Sequence, residues 1–397
     1  MSQPRPVEIR ALAGARAIPP LILVLFHYCE DPTRGYRGAK WFDLPVGKGY
    51  IWVEFFFILS GFVLTYVYGS RWREMWRAKS YVRFIETRLT RLYPLHLFML
   101  FVILFMMITL NAIAAHYGYL SIYEERWHPI NSGSSFIANL FLVQAWNMFP
   151  YLTWNGASWF VSVEFLLCLL IPIYFAISRG GLWSALLLIA GGACGLTLLA
   201  VTSKHGLDLT FHNGIWRGMS DFAMGVGLAV LYDAVKARGG AAWPTYAHSL
   251  MQLAAFGLLL WAIYDTGWAH RPEDIYTALA MVPFIFALSF DRGLLARFFQ
   301  TRLLLTLGEW SYAIYMGQTA CLQLLRHLRL HDYPAATDIV LGRPWAAWDP
   351  VWHWLEPALL VAAAVLWGYL LFALVERPSA AFLRGLMTGQ RRGAATA

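Results

Sequence analysis

Six ionisable side chains of this 397-residue chain lie inside long apolar stretches: Arg16, His27, Glu54, Glu164, Arg217 and Asp221. A charge at mid-bilayer depth costs about 2.5–3.5 kcal/mol even on the most lenient scale, so each is a candidate for chemistry. Histidine takes up and releases protons near neutral pH, and a buried carboxylate beside it selects its tautomer and stabilises the imidazolium. His27 as base and Glu54 as its orienting acid would make such a pair. Glu54 has a second reading, as the structural partner of a buried arginine. Arg217 and Asp221 are four residues apart on one helix, and their simplest reading is mutual neutralisation. Arg16 and His27 are eleven residues apart, about three full helical turns plus 20°, which puts them on one face about 16 Å apart along the axis. Pro19 and Pro20 fall between them and predict a kink.

The elements that must hold these groups are membrane helices. Hydrophobic residues make up 59% of the chain and charged ones 14%, against about a quarter charged in a soluble domain. Apolar runs of about 20 residues occur near 11–29, 50–69, 92–115, 157–178, 182–203, 215–236, 247–266, 274–290, 303–326 and 353–376. The predicted fold is all-α, a polytopic transmembrane bundle of about ten spans forming a single domain over residues 1–397. Ser134 to Phe149 is too short to cross and reads as a re-entrant or interfacial segment. With ten spans and a cytoplasmic N-terminus, 19 Lys and Arg fall inside and 10 outside, as the positive-inside rule requires. Both termini are then cytoplasmic. The N-terminal stretch lacks a small-residue cleavage site and reads as a retained helix.

Arg71, Arg73, Arg77, Lys79, Arg83, Arg88 and Arg91 crowd the loop after the second span. They read either as a topology determinant touching anionic lipid headgroups or as an anion-binding site. The net charge of +8 is spread over membrane-flanking loops, which argues against a nucleic-acid groove. Cys29, Cys168, Cys194 and Cys321 are scattered, so neither a metal site nor a redox pair is expected.

These positions resemble the signatures of the acyltransferase-3 family of membrane O-acyltransferases. Arg16 and His27 are similar to its Arg/Lys-and-His pair in the first helix, and Glu54 to Phe62 to its acidic-Phe-Phe-x-x-Ser-Gly-Phe segment, which includes Ser60. Arg88-Leu89-Thr90-Arg91-Leu92-Tyr93-Pro94 matches its Arg-x-x-Arg with Tyr-Pro, and Trp159 to Glu164 resembles its Trp-Ser-Leu-Ser-Val-Glu. Gly308 to Tyr315, with Tyr312, and the closing Glu376-Arg377-Pro378 complete an ordered set over nearly the whole chain. Phe165 stands where a second acidic residue is usual, and Gln318 where many members have histidine.

The resemblance implies transfer of an acyl group, commonly acetyl, from cytoplasmic acyl-CoA to a hydroxyl of an extracytoplasmic glycan or another small acceptor. It implies a bacterial inner (plasma) membrane and no metal. On that basis Arg88 and Arg91 grip coenzyme A phosphates, Arg16 guides the donor's phosphate end or arm, and His27 acts as base with Glu54 behind it. A covalent acyl-histidine is the other route. Trp159, Ser162, Glu164, Ser60 and Tyr312 are substrate-site candidates, with Trp159, Ser162 and Glu164 expected at the depth of His27. Some members carry an appended soluble hydrolase-like domain. This sequence ends about twenty residues after its last span, so direct transfer or a separate glycan-assembly partner protein is expected. The competing class is a transporter or lipid-carrier flippase, which also uses intramembrane charge.

Overall fold

The computed structural model describes residues 7–29, 46–117, 130–266, 270–331 and 350–394, and among them there is no strand. The helices are α1 (Arg10–Ala15), α2 (Ile18–Cys29), α3 (Trp52–Tyr68), α4 (Ala78–Tyr117), α5 (Gly133–Leu140), α6 (Ser158–Ile177) and α7 (Leu182–Thr202). They continue as α8 (Gly214–Ala237), α9 (Thr245–Thr266), α10 (Asp274–Ser289), α11 (Leu294–Phe299), α12 (Arg302–His331), α13 (Pro350–Leu371) and α14 (Arg377–Ala394). Every predicted span coincides with a helix or a helical pair. Eight of these are long and apolar enough to cross a bilayer, while Asp274–Ser289 is apolar but shorter. The protein is an all-α integral membrane bundle.

Contacts among helix ends, Lys48 with Asp274 and Arg217 with Glu54 on one side and the residues around Arg16, Arg88 and Arg377 on the other, define two ends. The basic end carries the Gly69–Trp76 3-10 turn and the start of α4, and the N-terminal segment and α14 gather there too. The opposite end, here the far end, carries Lys48 and the starts of α3, α6, α8 and α10.

Three local departures from the sequence reading matter for the site. The first span is two helices, because α1 stops at Ala15 and α2 begins at Ile18. The break precedes the prolines, which sit in the first turn of α2 where a missing N–H is harmless. The arithmetic that put Arg16 and His27 on one face therefore does not carry across the break. Next, α4 begins fourteen residues before the predicted span, so Arg83, Arg88 and Arg91 belong to a helix, not a loop. Arg88 and Arg91 are i and i+3, hence on one side of it. Last, α13 passes into α14 through a π-turn at Phe372–Glu376, a local widening of the helix often found at functional positions.

Ser134 to Phe149 enters and leaves by the far end. After α5 the backbone is irregular, with Leu142 and Asn147 at positive φ (58° and 57°). Such backbone survives at membrane depth only where protein satisfies it. Ser162 does this for the turn, donating to the Leu142 carbonyl at 2.7 Å and accepting from the Ala145 amide at 3.2 Å.

Close helix crossings hold the bundle. A Cβ on Gly61 of α3 would overlap the Phe222 carbonyl oxygen, and one on Gly225 of α8 would overlap that of Ile58. Small residues thus let α3 and α8 touch backbone to backbone, the membrane substitute for a hydrophobic driving force.

Candidate functional site

At the basic end the chain leaves a vestibule of about 850 Å³. Its walls include Arg10 and Arg16, Arg88 and Arg91 of α4, Glu309 of α12, and Glu376, Arg377 and Arg384 around the π-turn. A second cavity of about 100 Å³ lies deeper, lined by Phe56, Ser60, Glu164, Ser311, Tyr312 and Tyr315, among others. Arg16, Arg88 and Arg91 line both spaces. Among the described residues none of these three arginines makes an ion pair, and Arg91 is exposed to the vestibule. Arg88 lies over the rings of Tyr68 and Phe84, 5.7 and 5.6 Å from their centroids, a stacking that fixes its fork without using its donors. In the inner cavity Ser60 Oγ donates to Glu164 Oε1, and Tyr312 donates to the Leu92 carbonyl at 2.7 Å.

The far end is arranged differently. Arg217 Nε and Nη2 donate to the two oxygens of Glu54 at 2.8 and 2.6 Å, Nη2 also donates to the Tyr50 carbonyl at 2.7 Å, and Nη1 donates to the Leu209 carbonyl at 3.0 Å. Neither Arg217 nor Glu54 is exposed at all. Trp159 covers the guanidinium with its ring centroid at 5.5 Å. Lys48 and Tyr50 both donate to Asp274, one to each carboxylate oxygen. Burial pushes the Lys48 ammonium below its ordinary range, and the Asp274 hydrogen bond and charge oppose that shift. His270 stacks on Tyr50 with centroids 4.7 Å apart and meets Asp208 at 3.4 Å. Burial pushes the Asp208 carboxyl up. The His270 hydrogen bond and the positive charges of Arg217, His270 and His27 outweigh it, so Asp208 lies below its usual range.

The candidate residues therefore separate. Arg16, Arg88, Arg91, Ser60, Glu164 and Tyr312 converge at the basic end, whereas His27 and Glu54 belong to the far end. His27 sits in the last turn of α2, partly exposed, against Phe26, whose ring also contacts Tyr50.

Four expectations change. Glu54 engages Arg217 with both oxygens, so its second reading, partner of a buried arginine, describes the geometry in place of an orienting acid for His27. Arg217 does not neutralise Asp221, whose two oxygens are buried without a hydrogen-bond partner. Glu164 is not at the depth of His27. It pairs with Ser60, six residues or about 9 Å inward from Glu54 along α3. Ser162 and Trp159 also leave the substrate-facing set, the first supporting the re-entrant turn and the second capping Arg217. Sequence reasoning passed over Lys48, Tyr50, Asp208, His270 and Asp274 because they sit in loops or at span ends, where charge needs no explanation. Tyr315 was visible only as part of a motif.

One family model matches nearly the whole chain. The sequence model of the acyltransferase-3 family, described as an acyltransferase domain, matches residues 9–375. The chain is 26% identical to Acyltransferase MdmB of Streptomyces mycarofaciens over 421 aligned positions, covering 99% of this chain and 96% of that protein. It is also 32% identical over 96 residues to Protein 2 in picA locus of Rhizobium radiobacter, covering 24% of this chain and 44% of that one. No solved structure matches.

Proposed function

The chain belongs to the acyltransferase-3 family, and from that membership we propose that it is a membrane O-acyltransferase moving an acetyl or other acyl group from cytoplasmic acyl-CoA to a hydroxyl of an extracytoplasmic glycan. The basic end faces the cytoplasm in this reading, and the membrane is the bacterial plasma membrane. The observation that carries the proposal is that Arg16, Arg88 and Arg91 line both the vestibule and the inner cavity. Phosphate groups in the vestibule meet guanidinium forks already held by packing, and a slender arm can continue past them into the inner cavity. Three arginines that make no ion pair among the described residues are a poor arrangement for stability alone and a good one for an anionic donor.

The far end supplies the base. His27 Nδ1 or Nε2 takes the proton of the acceptor hydroxyl as its oxygen attacks the thioester carbonyl. The carbon–sulfur bond then breaks, and the departing thiolate takes the proton back from the imidazolium. The Glu54–Arg217 pair acts by fixing α3 to α8, which holds the wall of this path. The acceptor glycan arrives either alone or delivered by a separate assembly protein.

The test uses purified protein in nanodiscs with radiolabelled acetyl-CoA, reading both thiol release and label on glycan. Label transferred to a hydroxyl supports the proposal. Folded protein that neither binds nor turns over acyl-CoA overturns it, as does surface glycan with the same acyl content by mass spectrometry whether or not the gene is present.

A further inference from the structure

Two buried polar atoms on residues that line the inner cavity lack hydrogen-bond partners. One is an acceptor, Oε2 of Glu164, and the other a donor, Nε of Arg88. Glu164 is only 6% exposed and lines the inner cavity. Its other oxygen is fixed by Ser60, so the carboxylate is held in orientation while one oxygen stays unmet. Leaving such a group unpaired in a low-dielectric interior is expensive, and native proteins keep few.

The surroundings specify what would satisfy Glu164. Phe56, Leu59, Val63, Leu64, Leu92 and Phe160 make most of the inner wall apolar, so the occupant is a largely uncharged chain. Beside a carboxylate it must present an N–H or O–H donor. An ionised phosphate oxygen has no proton to give Oε2, and a bare hydrocarbon chain would leave it unmet. A secondary amide fits, because its N–H meets Glu164 and its carbonyl needs a donor such as that of Arg88, which lines the same cavity.

We propose that Glu164, oriented by Ser60, is a binding residue for an amide N–H in the arm of the acyl donor. This rests on the acyl-CoA reading above and deepens it, since the pantetheine arm is the amide-bearing part of coenzyme A. Arginines at the vestibule hold the phosphate end, and Glu164 sets how far the arm has advanced before its thioester meets the base.

Two probes separate the parts of the donor: acetyl-CoA, which carries the arm, and adenosine 3′,5′-bisphosphate, which carries phosphates and no arm. With Glu164→Ala, acetyl-CoA binding should weaken by about tenfold or more, while bisphosphate binding is unchanged or tighter because a nearby negative charge is gone. Retained bisphosphate binding also reports that the variant is folded. Glu164→Gln keeps the shape and a carbonyl acceptor, and should lose severalfold for acetyl-CoA alone; it stands in if the Ala variant does not fold. Equal weakening of both probes, or no weakening of acetyl-CoA in either variant, overturns the assignment. Failure of the donor reading itself looks different, because wild-type protein would then bind neither probe.

Discussion

The two ends of this bundle handle charge in opposite ways. At the far end, charges answer one another: Lys48 with Asp274, Arg217 with Glu54, His270 with Asp208. At the basic end, Arg16, Arg88 and Arg91 have no ion-pair partner among the described residues and surround open volume. A buried pair with its remaining hydrogen bonds satisfied is a closed unit that fixes helices in place. Unanswered cations beside a cavity leave their interaction free energy for a ligand. Charged residues thus build structure in one region and a receptor in the other. Asp221, one turn from Arg217 on α8, has no hydrogen-bond partner among the described residues; the functional exception is His27, whose surroundings join it to the paired network while the family signature marks it as reactive.

The largest expected effect breaks that exception. His27→Ala should lower acyl transfer to background, a loss of the order of a hundredfold to ten-thousandfold, with acetyl-CoA affinity and folding retained. Transfer assays with binding measured in parallel decide this, and near-normal glycan acylation would remove His27 from the chemistry.

Next comes the structural character of the closed pair. Replacing one member, as in Arg217→Met or Glu54→Gln, leaves the other buried without its partner and should destabilise by about 3–5 kcal/mol. The double replacement Glu54→Gln with Arg217→Met should be milder than the sum of the singles. Thermal unfolding in detergent reads both. Strict additivity would mean that the two side chains do not act as a unit.

Arginine variants should behave in the reverse sense. Arg88→Ala or Arg91→Ala should weaken donor binding about tenfold or more and change the unfolding temperature little. Lysine at either position should restore binding only partly, because the planar fork is lost. If stability falls and affinity does not, these residues serve the fold or the lipid surface instead.

The smallest effect sharpens the far-end side. Asp208 lies below its ordinary value of 3.8 in the folded protein, so its charged form favours folding. That contribution is fully present above about 4 and is lost as pH falls through the folded value. Unfolding temperatures between pH 6 and 3 should therefore fall more steeply for wild type than for Asp208→Asn. Parallel curves would show that the His270 contact contributes nothing to stability.

Much of this protein was legible in one dimension. Run length and apolarity predicted a helix at each of the ten segments, eight of them long and apolar enough to cross, since a bilayer demands about 20 apolar residues with internally bonded backbone. The re-entrant segment was recognisable because it was too short to cross. The arginine cluster and the ordered motifs pointed to the family and to Arg16, Arg88 and Arg91. Pairings across helices were not legible. Glu54 and Arg217 are 163 residues apart, and nothing in either segment selects the other over His27 or Asp221. The break after Ala15 was likewise hidden, because the same prolines suit either a kink or a fresh first turn. Spans are set locally by the solvent around each helix, whereas the partner of a buried charge is set by which helix faces cross. The close contact of α3 with α8 through Gly61 and Gly225 decided that Glu54 would meet an arginine from α8.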